Sequence, residues 1–161
     1  MDRAARAIEQ WSRERPDLDV SPMGVIGRLN EASSLIARDR LAPVFARFGL
    51  QSGEFDVLAT LRRSGPPYAL TPTELYEATM VTSGAMTARL DRLEKAGQIA
   101  RGPHPTDRRG IVVQLTAKGL ELVDEALTAH VANEHEILSA LTPAERDTLA
   151  HLLGKLIGSL G

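Results

Sequence analysis

Apolar residues recur at helical spacing along most of the chain. From Met23 to Phe48 the residues Val25, Ile26, Leu29, Ala32, Ile36 and Leu41 return near every third or fourth position, which predicts a helix. Pro43 falls inside this run, so a kink or break is expected there, and Gly49 ends it. Before it, Ala4 to Arg15 reads as a helix stopped by Pro16, with a linker from Asp17 to Pro22. After it, Ser52 is placed to cap a helix to about Arg63, with Phe55, Leu58 and Leu61 on one side, and the breaker Ser64-Gly65-Pro66-Pro67 follows. Thr71-Pro72-Thr73-Glu74 sets a hydroxyl at the N-cap, proline at the first helical position and glutamate at the third, opening a short helix to about Thr79. Thr82 or Ser83 caps the next helix, which runs to Ala96 and stops at Gly97.

The period then changes. Ile99-Ala100-Arg101 and Ile111 to Leu115 are β-branched runs that predict two strands, joined by a loop bounded by Gly102, Pro103, Pro105 and Gly110. Thr116 starts a long helix through about Leu138. Thr142-Pro143-Ala144-Glu145 repeats the capping box and opens a last helix to about Leu160. The fold class is therefore mainly α with a small β-hairpin, a helix–turn–helix followed by a wing. One domain is expected over residues 1–161. Its 1–50 and 116–161 segments form a helical dimerisation region, and 51–115 form the winged lobe.

Composition removes several classes of function. The absence of cysteine excludes disulfides, thiolate metal sites and thiol redox chemistry. The charged N-terminal run is not expected to act as a signal peptide, and no apolar stretch approaches the ~18 residues of a membrane span. A cytoplasmic protein without membrane contact is expected. His130, Glu134 and His135 lie close together but lack a third convincing ligand partner, so no metal is expected. No GxSxG, P-loop or GxGxxG motif is present, so neither cofactor nor catalysis is expected.

Net charge is −2, yet its distribution is uneven. Val81 to Lys118 holds seven cations against three acids, and Gly119 onward holds two cations against seven acids. A basic zone inside a nearly neutral chain is the electrostatic footprint of a nucleic-acid reader, although a solvated surface has the same signature. On the second helix of the pair, Met86, Leu90 and Leu93 form one stripe expected to pack on the preceding helix through Leu75, leaving Gly84, Thr87, Ala88 and Asp91 on the other side. Small residues there let a helix backbone approach DNA, and Ser83 and Thr87 can reach bases or phosphates. In the loop Pro103 to Gly110, Arg108 and Arg109 suit a narrow minor groove, and Asp107 can hold Arg109 extended. The expected DNA-contacting set is Thr82, Ser83, Gly84, Thr87, Ala88, Arg92, Asp107, Arg108 and Arg109.

The stretches TPTELYEATMVTSGAMTARLDRLEKAGQIAR and DRRGIVVQLTAKG carry a resemblance to the MarR family of bacterial winged helix–turn–helix regulators, spanning about Met23 to Gly119. The resemblance implies a homodimer on a pseudo-palindromic double-stranded operator, usually a repressor released by a small molecule. Leu120, Val123, Leu127, Val131, Leu149, Leu152, Leu153, Leu156, Ile157 and Leu160 supply the apolar surface such a dimer needs.

Four further residues, Trp11, Asp56, Arg89 and Arg101, resemble the ligand-surrounding set of the urate-responsive branch. Arg89 lies about 60° off the apolar stripe, flanking the core. The effector would be urate, another planar aromatic acid or a polycarboxylate. Other readings of the same pattern are a winged helix that binds protein instead of DNA, and a small-molecule carrier.

Overall fold

The computed structural model describes residues 2–79, 83–106 and 110–161, with only the backbone of Ser83 and Gly84. The chain divides into two compact units, residues 1–41 and 42–161.

The first unit is a helical hairpin of α1 (Arg3–Glu14) and α2 (Pro22–Leu35), extended by a π-helical segment, Ile36–Leu41. Asp2 caps α1 by accepting from the Ala5 amide at 2.8 Å, and its carboxylate also takes the Arg28 guanidinium of α2 at 2.9 Å. Both interactions hold the Asp2 carboxyl below the ordinary aspartate range, the backbone donor most strongly. Gly24 and Gly27 let α1 lie close: a Cβ on Gly24 would be 2.9 Å from Ile8 Cδ1. The expected irregularity before Pro43 takes the form of wider π turns, which end at Leu41.

The second unit comprises α3 (Ala42–Ala46), α4 (Ser52–Arg63), β1 (Ala69–Leu70), α5 (Pro72–Thr79), α6 (Ser83–Lys95), β2 (Ile99–Pro103), β3 (Ile111–Leu115), α7 (Ala117–Ile137) and α8 (Pro143–Gly158). Gln51, one residue before the expected Ser52, occupies the N-cap of α4, and its amide donates to Glu54 Oε2 at 2.9 Å. Phe55, Leu58 and Leu61 are buried as their spacing predicts, and Val57 joins them because α4 is covered on several sides.

The sheet is antiparallel with order β1-β3-β2, so the hairpin gains a third strand on its β3 edge. Ile99 pairs with Leu115 and Pro103 with Ile111. At two residues, β1 is too short to show an alternating pattern and is created by its pairing with Val113 and Gln114. Val113, Leu115 and Ile99 turn inward onto Leu58, Leu61, Leu75 and Leu93 to form the core of this lobe.

At the other end, the rings of Phe45 and Phe55 stack at 4.3 Å, and His130 of α7 lies 5.1–5.2 Å from both. His130 Nε2 is 3.1 Å from Glu134. The imidazole thus packs where α3, α4 and α7 meet. Beyond α7, Arg146 donates to the Leu138 and Leu141 carbonyls and pins the turn into α8. None of the α8 residues is fully buried, and Leu149, Leu152 and Ile157 are exposed.

Candidate nucleic-acid interface and effector site

The α5 start is the capping box that its sequence predicts. The Thr71 amide and hydroxyl both donate to Glu74 Oε2, and the Glu74 amide donates to Thr71 Oγ1. Its end is held by a residue that pattern alone did not reveal. Arg63, at the C-terminus of α4, donates from Nη2 to the Ala78 carbonyl at 3.2 Å and to Thr60 Oγ1 at 3.1 Å. A cation at a helix C-terminus satisfies both the open carbonyl and the dipole.

Helix α6 turns Met86, Leu90 and Leu93 inward and exposes Thr87, Ala88 and Asp91, the two faces that its spacing predicts. It packs mainly on α4 and β2. Between α5 and α6 runs an open groove of about 310 Å³, lined by Pro72, Thr73, Tyr76, Met86, Thr87 and Leu90. The C-terminus of α6 is fixed by three features. Gly97 adopts a left-handed φ of +73°, which L side chains resist. Lys118 Nζ donates to the Ala96 carbonyl and Thr116 Oγ1 to the Gly97 carbonyl, each at 2.7 Å. The second helix is thereby tied to the start of α7.

Two arginines of α6 reach α4. Arg92 donates from Nε to the buried carboxylate of Glu54 and more distantly, at 3.5 Å, from Nη2 to Gln51 Oε1, while 48% of its side chain stays exposed. Arg89, one turn earlier, lays its guanidinium across Gly53. Its Nη1 is buried and has no hydrogen-bond partner among the described residues. Asp56, one turn along α4 from Gly53, is half-buried. Burial pushes its carboxyl above the ordinary aspartate range, against the opposing charges of Arg63 and Arg89.

Arg101 is placed differently. It donates to Glu94 Oε2 and Asp91 Oδ1, each at 2.6 Å, and these bonds raise its own pKa, the one to Glu94 most strongly. Asp91 and Glu94 lie about 200° and 140° around α6 from Arg89, so Arg101 sits on the opposite side of that helix. The structure brings Asp56 and Arg89 near each other and does not bring Arg101 to them. Trp11 belongs to the first unit, where it is exposed.

The wing rises on β2 and β3, and the His104 amide donates to the Gly110 carbonyl at 2.9 Å, closing the hairpin above Pro103 and Ile111. Among the expected DNA contacts, Thr82, Asp107, Arg108 and Arg109 lie outside the described residues, as does the side chain of Ser83; Gly84 is described by its backbone.

A helix–turn–helix followed by a β-hairpin defines a winged-helix protein. Residues 48–110 match the model of the MarR family. The chain is 47% identical over 149 residues to the HTH-type transcriptional regulator PecS of Dickeya dadantii, covering 92% of this chain and 89% of that one. A mutant MarR from Escherichia coli complexed with operator DNA superposes with a TM-score of 0.73 at 28% identity, covering 91% of this chain and 96% of the other. BpsR of Bordetella bronchiseptica, whose DNA binding is regulated by 6-hydroxynicotinic acid, superposes with a TM-score of 0.67 at 27% identity, covering 82% and 97%. The chain belongs to the MarR family of transcriptional regulators.

Proposed function

We propose that this protein is a homodimeric regulator that reads a pseudo-palindromic operator through α6 and the wing, and that a small anionic or aromatic effector weakens its grip. The observation that carries the reading is the outward face of α6. Thr87 and Ala88 are exposed there and small enough for close approach to a groove, on a helix braced from behind by Glu54 and capped by Lys118. The likeness to MarR bound to operator DNA supports it. The DNA-contacting set in this reading is Thr82, Ser83, Gly84, Thr87, Ala88, Arg92, Asp107, Arg108 and Arg109.

Dimerisation follows from the bare apolar face of α8 and sets two copies of α6 about one DNA turn, ~34–36 Å, apart. On the effector side the reading rests on Asp56 and Arg89; Arg101, tied to Asp91 and Glu94 on the other side of α6, is not a member of it. An anion beside Arg89 would satisfy its buried N–H and displace it from α4, moving α6 with it. The small-molecule control of BpsR supports this part. In this reading the protein works in the cytoplasm and catalyses no reaction.

The test is a gel shift at low ionic strength with duplex DNA flanking the protein's own gene, repeated with urate, salicylate and citrate. A retarded band that one of the three compounds dissolves is the expected result. Indifference to every duplex would end the DNA-reading account, and a band untouched by all three compounds would end the assignment of an anionic or aromatic effector.

A further inference from the structure

Gly53 is the second residue of α4, in an ordinary helical turn where alanine would normally be preferred. The space a Cβ would fill is already occupied. It would lie inside 3.0 Å of Arg89 Cζ, Nε and Nη2. The missing side chain is therefore a socket, and the guanidinium of α6 fills it. Arg89 acts on nearby Asp56 through charge alone, and its Nη1 has no hydrogen-bond partner among the described residues. The bare glycine leaves the room this side chain occupies on α4, and the Asp56 charge faces it there.

We infer that Gly53 is a positioning residue for DNA reading: its bare backbone seats Arg89 and so sets where α6 lies on α4. This deepens the proposed function and rests on α6 being the reading helix. The contrast with Arg92 is informative. That arginine is fixed by a buried carboxylate and strengthens α6 on α4 whatever its neighbours do. Among the described residues the Arg89 seat has no such lock. It is the weaker of the two α6–α4 fastenings and the one that a change at residue 53 can release without touching the core stripe of Met86, Leu90 and Leu93.

The test is a double-mutant cycle of Gly53→Ala, Arg89→Ala and the combined variant, read in two ways. The first reading is thermal unfolding. In the Arg89→Ala background the socket is empty, and Gly53→Ala should raise Tm by about 1–4 °C through the usual gain over glycine. In the wild-type background the new Cβ evicts the guanidinium, and that gain should vanish or reverse. The second reading is affinity for the duplex flanking the protein's own gene. Gly53→Ala and Arg89→Ala should each weaken binding about threefold or more, and the combined variant should be no weaker than either.

Equal Tm shifts in both backgrounds, or affinity losses that multiply, would overturn the seat. If the wild type binds no duplex, the regulator reading fails, while the Tm cycle still decides whether Gly53 seats Arg89.

Discussion

At the scale of single residues, charge sorted itself by partner more than by sign. The basic zone read from the sequence contains arginines of different kinds. Arg101 is consumed by Asp91 and Glu94, ten and seven residues away in sequence, and Arg92 is half-engaged with Glu54, thirty-eight residues away. Such partners come from other elements, so no helical wheel reveals them. Arg92 can brace α6, touch DNA, or do both, and one experiment separates these roles. Arg92→Ala strands the Glu54 carboxylate and should cost about 1–3 kcal/mol of folding stability, measured by urea denaturation. Arg109→Ala should leave stability unchanged and reduce the salt dependence of DNA binding by about one unit of slope. If Arg92→Ala instead leaves stability intact and lowers the slope, Arg92 belongs to the DNA-contacting set and the brace is unimportant.

At the scale of elements, the sequence signals that worked were those whose partners lie within a few residues. The capping boxes at Thr71 and Thr142 formed as read, because donor and acceptor are three residues apart. The Met86, Leu90 and Leu93 stripe was buried for the same local reason. The strand β1 was invisible because two residues carry no period, and the cap of α4 moved from Ser52 to Gln51 because Glu54 reaches back to the Gln51 amide.

Gly119 shows how an element-scale packing demand enters the end of the stretch DRRGIVVQLTAKG. A Cβ there would run into the Gln98 backbone carbonyl, which also accepts from the Thr116 amide at 3.2 Å. That carbonyl cannot swing away as a side chain could. Gly119→Ala should therefore push α7 off the start of β2 and cost about 1–3 kcal/mol in urea denaturation. A variant as stable as wild type would show that α7 and β2 are free to separate.

At the scale of the whole molecule, the exposed apolar residues decide. In α7 and α8, Leu127, Val131, Leu149, Leu152 and Ile157 are all exposed, the last at 68%. Surface of that kind on a pair of helices asks for a second copy. Replacing Leu152 and Ile157 by glutamate should raise the dimer dissociation constant about 30-fold or more, seen by sedimentation, if either is an interface hot spot. DNA affinity should fall with it, because a monomer presents one reading helix instead of two. Retention of the dimer would place the interface elsewhere.

What the sequence determined unaided is whatever depends on neighbours along the chain: the helix starts at the Thr71 and Thr142 capping boxes, the strand pair of the wing, the inward and outward faces of α6, and the absence of thiol chemistry. Family resemblance added the regulator and its partners. The tertiary structure alone decided which elements α6 leans on, that Glu54 holds Arg92, that Arg101 turns away from Asp56, and that Gly53 is vacant for Arg89. The physical reason is range. Backbone hydrogen bonds and helical periodicity act over three or four residues and are written in the local order of side chains. Ion pairs and steric fit between helices depend on where the fold places residues many positions apart.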